Sequence, residues 1–285
     1  MQREHHGFLM GICAALLLAF SGVMIKWGAE IPNETMVFFR FFISSLCILP
    51  FLFSGRVRLR WRAFPKHFPR AIAGLLSIYC YFYSIKYLPL VNASTLFYTG
   101  PLFVPLVVFF WLRLIVPKQR IGALVIGFLG ILVILRPGPG FEWLTTLVGL
   151  LSGLFSAIAQ VGIRQLSKTE STETILSYFF ILSAILSFPP MLVTWQSIES
   201  SFQWLDLLGI ALTSVAFQYF ITKSLTHAPV SKVSVLSYLG VVFSGLFGWF
   251  IFSEQPTVWV LAGSSLIILG GLVALFSKES SRKWS

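Results

Sequence analysis

Two tyrosines, Tyr98 and Tyr238, stand 140 positions apart in otherwise apolar stretches, each two residues before a glycine. Asn92 and Thr95 precede the first of them. Tyr79 and Tyr83 lie four residues apart, so on a helix they share a face. Ser152, Ser156, Gln160 and Arg164 repeat the same spacing, and Ser214, Gln218, Tyr219 and Thr222 form another polar cluster. Aromatic rings supply apolar contact area, and a few hydroxyls and amides fix orientation; that mixture binds a small amphiphilic molecule. A long amide such as Gln160 in an apolar segment needs several hydrogen-bond partners, which favours a cavity. The candidate substrate-binding set is therefore Tyr79, Tyr83, Asn92, Thr95, Tyr98, Gln160, Gln218, Tyr219 and Tyr238. Serines on the same faces also serve as packing between helices. Tyrosines close to span ends, Tyr87 and Tyr178 among them, read as interfacial belt residues.

The apolar stretches hold neither a nucleophile beside a base nor an acidic pair, so no catalytic residue is assigned. Cys13, Cys47 and Cys80 form no CxxC and no even framework, and no metal site or cofactor is expected. Among the basic residues in or at the ends of the apolar stretches, Lys26, Arg40 and Arg164 are candidates for gating or structural charge. Lys26 and Arg164 occupy matching positions in two copies of one pattern, which suggests gating or topology. Arg40 either meets an anionic group of a substrate or snorkels towards Glu30 and Glu34.

The elements that must position these residues are read from hydropathy. The chain has 285 residues, 56% hydrophobic and 11% charged, against roughly 25% charged in a soluble domain. Ten apolar spans fall near 7–28, 35–53, 70–88, 91–112, 119–136, 146–164, 174–195, 204–225, 232–252 and 258–277. Each is long enough to cross a bilayer as a helix. The connections are short, and none has room for a soluble domain.

The stretch Pro89–Leu112 returns as Pro229–Phe252, with Ser94, Leu96, Tyr98, Gly100 and Phe103 matched by Ser234, Leu236, Tyr238, Gly240 and Phe243. Gly11–Lys26 likewise lines up with Gly149–Arg164, so the first span, although it looks like a signal peptide, is read as retained. An odd number of spans per copy turns the second copy over relative to the first. The expected fold is all-α: a polytopic membrane protein of ten transmembrane helices in two inverted five-helix repeats, residues 1–140 (spans one to five) and 141–285 (spans six to ten). Pro101 stands in the first copy where the second has Val241, so span four is expected to bend more than span nine.

With the N-terminus inside, 17 of the 21 Lys and Arg fall on the cytoplasmic side. That bias predicts a multi-pass protein of the inner (cytoplasmic) membrane with both termini cytoplasmic. The basic run 56–70, ending at Arg70, is explained as a cytoplasmic loop near anionic lipid, and nucleic acid is not an expected partner. Spans five and ten carry Gly127, Gly130, Gly263, Gly270 and Gly271, which suggests scaffold helices or a homodimer through them.

With VFFRFFISSLCILPF in span two, the Tyr-x-Gly pairs at 98–100 and 238–240, Pro101, GALVIGFLGILVILRPG at 122–138 and its second copy GSSLIILGGLVALF at 263–276, the chain resembles ten-helix members of the drug/metabolite transporter superfamily with EamA-type repeats. Span two is similar to the branch that includes S-adenosylmethionine uptake transporters, and the superfamily's amino-acid exporters are an equal comparison. The resemblance implies a secondary or facilitative transporter of a small metabolite (an amino acid, a nucleoside or a derivative such as S-adenosylmethionine) working by alternating access. The chain departs from the family pattern in having an acidic residue, Glu254, only after span nine; the first copy has Arg113 in that region.

No GxxxxGK[ST] loop is present to hold ATP, and the carboxylates and histidines fall in loops or near span ends. Facilitated diffusion or exchange is therefore expected over tight proton coupling. A non-transporting scaffold or lipid-handling protein is the alternative, and the polar residues in spans three, four, six and eight weigh against it. The expected partners are a small-molecule substrate and the lipid bilayer.

Overall fold

The computed structural model describes residues 2–54, 57, 59–113, 118–134, 142–227, 233 and 238–276. Those residues form eleven α-helices and one 3-10 turn, with no strand among them. The helices are α1 (Gln2–Trp27), α2 (Asn33–Phe53), α3 (Phe64–Tyr87), α4 (Leu90–Phe97), α5 (Gly100–Leu112), α6 (Lys118–Ile134), α7 (Trp143–Leu166), α8 (Thr172–Val193), α9 (Ser201–His227), α10 (Leu239–Phe252) and α11 (Val258–Phe276). Six segments are long and apolar enough to span a membrane, one of them α4 and α5 taken together, and three further apolar helices are shorter. The sequence positions Arg58, Arg136, Pro229, Lys232, Ser234, Leu236, Lys278, Arg282 and Lys283 lie outside the described residues, as does most of the 137–143 turn.

Local chemistry sets several helix ends. Ser171 caps α8, its hydroxyl accepting from the Thr174 amide at 3.3 Å, and Glu173 lies in the first turn. Helices α5 and α10 both end in a left-handed residue, Arg113 (φ 53) and Ser253 (φ 54). These positions are 140 apart, the offset of the duplication. After Ser253 the Glu254 amide donates back to the Gly248 carbonyl at 3.0 Å, which satisfies a carbonyl of the last turns.

Helix α3 starts earlier than hydropathy alone suggests. It begins at Phe64, with Pro65 in its first turn, where a missing amide hydrogen does no harm. Pro69 then follows inside the helix. Arg70, expected in a cytoplasmic loop, therefore sits inside α3 and is buried. Tyr178 is also buried rather than in the interfacial belt: its hydroxyl accepts from the Arg60 amide at 2.6 Å and donates to the Arg60 carbonyl at 2.9 Å. It ties Arg60, just before the 3-10 turn, to α8. His67, expected outside the spans, is buried in α3 with its ring stacked on Tyr178, centroids 4.0 Å apart.

Packing follows the duplication. Helix α3 lies on α7 as α9 lies on α1, and α5 on α7 as α10 on α1. Helix α2 packs against α8, and α6 against α11. In these four pairings, exchanging each helix for its counterpart 138–140 positions away returns the same partners. In the α6–α11 pair the two glycines meet: a Cβ on Gly130 would lie 2.6 Å from the Gly263 carbonyl, and one on Gly263 would lie 2.7 Å from the Gly130 carbonyl. No side chain fits at either position, which lets the backbones touch.

The outside of the bundle is apolar. Phe53, Phe110, Val193 and Phe250 are each at least 76% exposed, an exposure that water penalises and lipid does not. Exposed tryptophans mark helix ends, with Trp27, Trp143, Trp204 and Trp259 among them. This is a multi-pass, all-α membrane protein.

Candidate functional site

Span four is broken in its middle. Helix α4 stops at Phe97, and α5 starts at Gly100. The Thr99 hydroxyl donates to the Leu96 carbonyl at 2.6 Å, and the Leu102 amide turns to the Thr99 carbonyl at 2.9 Å. Pro101 has no amide hydrogen to offer the Phe97 carbonyl, so the helical ladder cannot run through. The comparison with span nine falls partly on residues 234–237, outside the described residues.

The break faces a cavity of about 50 Å³. Its polar lining is Arg70 and Ser77 from α3, Tyr98 from the break, Ser156 and Gln160 from α7, and Gln218 from α9. Phe97, Phe217, Ile78 and Ile163 supply apolar wall, and Ala14 and Ala15 of α1 close one side. Such a volume holds a few waters, at about 10–15 Å³ each. It is smaller than the roughly 300–1,000 Å³ of a ligand pocket.

The polar groups are held by short contacts. Gln160 donates through Nε2 to the Ser156 hydroxyl at 3.1 Å, one helical turn away. Ser77 donates to the Ser152 carbonyl at 2.8 Å and so fixes α3 against α7. Arg70 Nη2 donates to Gln218 Oε1 at 3.3 Å. Tyr98 is 4% exposed, and its hydroxyl has no hydrogen-bond partner among the described residues. Its ring lies over Gly240 of α10, where any Cβ would collide with it. The glycine two residues after Tyr238 is thus the seat of the other tyrosine.

A buried cavity at a broken helix between two matching halves is the usual site of a secondary transporter, and comparison with known proteins agrees. The model of the EamA-like transporter family matches residues 5–136 and again residues 143–276. The chain belongs to this family.

Among relatives, the transporter is 32% identical over 275 residues to the pseudopaline exporter CntI of Pseudomonas aeruginosa, covering 96% of this chain and 97% of that protein. It is 26% identical to a riboflavin transporter of Vibrio cholerae, covering 99% and 97% of the two chains. It is also 26% identical to an S-adenosylmethionine uptake transporter of Rickettsia prowazekii, covering 96% and 95%. A crystal structure of another protein shares the fold, with a TM-score of 0.69 at 19% identity over 94% of this chain and 96% of that one. The chain is accordingly a small-metabolite transporter of the EamA type.

Of the nine candidate residues, Tyr98, Gln160 and Gln218 line the cavity. Tyr79 and Tyr83 are half-buried on α3; the Tyr79 carbonyl accepts from Asn33 at 3.4 Å, and Tyr83 packs on Tyr87 with centroids 4.8 Å apart. Asn92 is half-buried on α4. Thr95 donates to the Val91 carbonyl at 2.7 Å, and its hydroxyl lies 3.2 Å from that of Ser264 in α11. Tyr219 accepts from Lys223 Nζ at 2.8 Å. Tyr238 is buried beside α10, its hydroxyl without a partner among the described residues. Arg70 was the residue missed. Its signal was spacing: Arg70, Gly74, Ser77 and Ile78 fall on one helical face that continues into span three.

The three charges take different roles. Lys26 forms an ion pair with Glu254 and donates to the Leu88 carbonyl at 3.1 Å. The second oxygen of Glu254 accepts from the Leu90 amide at 2.7 Å. The cluster joins the end of α1, the turn between α3 and α4, and the residues after α10. At the opposite end of the bundle Arg164 donates to the Leu225 carbonyl at 3.3 Å. Each basic residue therefore holds the carbonyl end of a matching helix, α3 or α9, and only Lys26 pairs with a carboxylate among the described residues. Arg40 is buried without an ion pair to Glu30 or Glu34. Its guanidinium lies 5.0 Å from the Phe41 ring and 5.4 Å from Phe82. Snorkelling to those glutamates gives way to cation–π contact because the residue points inward.

Proposed function

We propose that the transporter moves an amino-acid-like or nucleoside-like metabolite, or a derivative such as S-adenosylmethionine, by alternating access. The cavity beside the span-four break is its substrate site. The observation that carries this is the convergence of Tyr98, Gln160 and Gln218 on one cavity between the halves. Rings and amides together match a solute with an apolar body and polar edges. Relatives named for pseudopaline, riboflavin and S-adenosylmethionine support a solute of metabolite size. The remaining candidates, Tyr79, Tyr83, Asn92, Thr95, Tyr219 and Tyr238, join the pathway when the halves move.

The moving parts are residues 1–140 and 141–285. The two ends of the bundle act as gates: Lys26 with Glu254 at one, and Arg164 at the other. Termini on the cytoplasmic side of the inner membrane put the Lys26 gate outside, supported by the Lys and Arg bias of the loops. No catalytic step is assigned, since the cavity lining holds neither a carboxylate nor a histidine. A homodimer would use the outward faces of α6 and α11, where Leu129, Leu132 and Leu269 are exposed, because Gly130 and Gly263 are already occupied by each other.

Counterflow of labelled amino acids, nucleosides and S-adenosylmethionine into liposomes tests the reading. Tyr98→Ala should raise the apparent KM several-fold, the loss of an aromatic contact being about 0.5–1.5 kcal/mol. Gln160→Ala and Gln218→Ala should change which solute is preferred. Wild-type kinetics and selectivity in all three folded variants would remove the cavity from the pathway.

A further inference from the structure

We infer that the cavity takes an anionic group, a carboxylate or phosphate, and that Arg70 is the residue that binds it. The inference rests on the cavity being the substrate site and adds the charge of what enters.

Arg70 is 2% exposed and keeps its charge at any physiological pH. It is about 9 Å inside α3, at 1.5 Å per residue from Phe64. Of its three nitrogens, Nε and Nη1 have no hydrogen-bond partner among the described residues, and Nη2 reaches only the neutral Gln218 amide there. The guanidinium centre lies 3.7 Å from the Phe179 ring centroid. No carboxylate among the described residues is within ion-pairing distance of it. A ring face attracts a cation, but it does not replace the hydrogen bonds that water would give. Burial without a counter-ion is strongly unfavourable, and an anion delivered by the substrate would remove that imbalance.

Two glycines make room for the side chain. A Cβ on Gly162 of α7 would lie 3.1 Å from the Arg70 Cβ. A Cβ on Gly74, one turn along α3, would collide with Nη1 and come within 2.6 Å of the Phe179 ring. The backbone is thus cut away along the stem and again under the guanidinium, which turns to the cavity wall. Arg40 adds to the same positive field: Phe41, which it covers, packs edge-on against Phe179, centroids 5.1 Å apart. Selectivity follows from the mismatch. A neutral solute leaves two donor nitrogens, Nε and Nη1, unpaired, whereas an oxyanion satisfies them with charge-assisted bonds.

Full-length protein in nanodiscs is titrated with matched pairs: nicotinate against nicotinamide, tryptophan against tryptophanamide, AMP against adenosine, with inorganic phosphate alone as a further probe. Thermal shift reads binding. The acid member should bind wild type at least tenfold more tightly than its neutral partner. The nicotinate and tryptophan pairs against the AMP pair and phosphate separate carboxylate from phosphate as the preferred group. Nanodiscs with and without phosphatidylglycerol show whether a lipid headgroup competes. In Arg70→Gln, which keeps a polar group for Gln218, the preference should fall to within twofold, and Arg70→Lys should restore part of it. If Arg70→Gln does not accumulate, the wild-type comparison and Arg70→Lys decide. Equal binding of acid and neutral members by wild type overturns the inference and leaves the transporter reading standing. No response of wild type to any acid or to phosphate overturns it too; counterflow of uncharged riboflavin then judges the transporter reading separately. A preference for acids that survives in Arg70→Gln places the anion elsewhere and also sinks it.

Discussion

Replacing Glu254 by Gln isolates the proposed Lys26 gate. The amide oxygen can still accept from the Leu90 amide, so the turn between α3 and α4 keeps its hydrogen bond while the charge goes. The Lys26 and Glu254 side chains are 20% and 16% exposed. An exposed ion pair contributes about 0–1 kcal/mol, and breaking a fully buried one costs about 3–5 kcal/mol. This pair lies between, near about 2 kcal/mol. If the pair forms only in the conformation closed at this end, the whole amount biases the opening equilibrium, about 30-fold at about 1.4 kcal/mol per factor of ten. The assay uses a cysteine at Ala93, which is fully buried on α4 just beneath the gate. Cys13, Cys47 and Cys80 are first replaced. Glu254→Gln should speed labelling of that cysteine by an impermeant thiol reagent by one to one and a half orders of magnitude. Exchanging the two residues, Lys26→Glu with Glu254→Lys, should restore slow labelling only in part, because the Leu88 carbonyl and Leu90 amide would then face the wrong partners. A labelling rate within twofold of wild type in well-folded Glu254→Gln would refute the gate.

Four further outcomes are expected. Gly130→Leu or Gly263→Leu should lower expression and melting temperature sharply, with KM unchanged in whatever folds; a normal melting temperature would show that α6 and α11 can separate freely. Gly240→Ala should act on transport through the Tyr98 ring, and Tyr98→Phe should leave stability within about 1 kcal/mol of wild type, because the hydroxyl has no partner to lose among the described residues. Tyr178→Phe gives up two hydrogen bonds to Arg60 and should destabilise by about 1–3 kcal/mol in denaturant or thermal unfolding. Cysteines at Glu142 and Gln255 should label from outside the cell and one at Lys168 from inside; the reverse pattern would invert the topology.

Much of the architecture was legible because hydropathy and charge are local properties. Nearly every expected span has its helix within a few residues, and the matching left-handed ends at Arg113 and Ser253 bear out the repeat offset read from Tyr98 and Tyr238. The site was legible in part. Gln160 and Gln218 stood out because an amide in a lipid-length apolar helix needs partners. Tyr219 looked equivalent to Gln218 in sequence but turns to Lys223, since neighbouring residues on a helix point about 100° apart. Tyr178 passed for a belt residue because its position near a helix end says nothing about a loop folded over it.

By itself the chain's composition and periodicity determined that it spans a membrane several times, that its halves repeat, and that Pro101 interrupts the regular helix of span four. Those follow from transfer of side chains into lipid and from backbone chemistry, both settled within a few residues. Tertiary structure alone decided what meets across the bundle. Arg70 belongs to a basic run that reads as a loop, yet α3 extends back to Phe64 and carries it inward, where Gly74 and Gly162 leave it room. Gly240 is compatible with many roles until Tyr98 is seen lying on it. Lys26 and Glu254 are 228 positions apart, and only the packing of α10 on α1 brings them into contact. Contacts of that range depend on which helix faces meet, and hydropathy, which marks only that a helix is buried in lipid, carries no record of its neighbours.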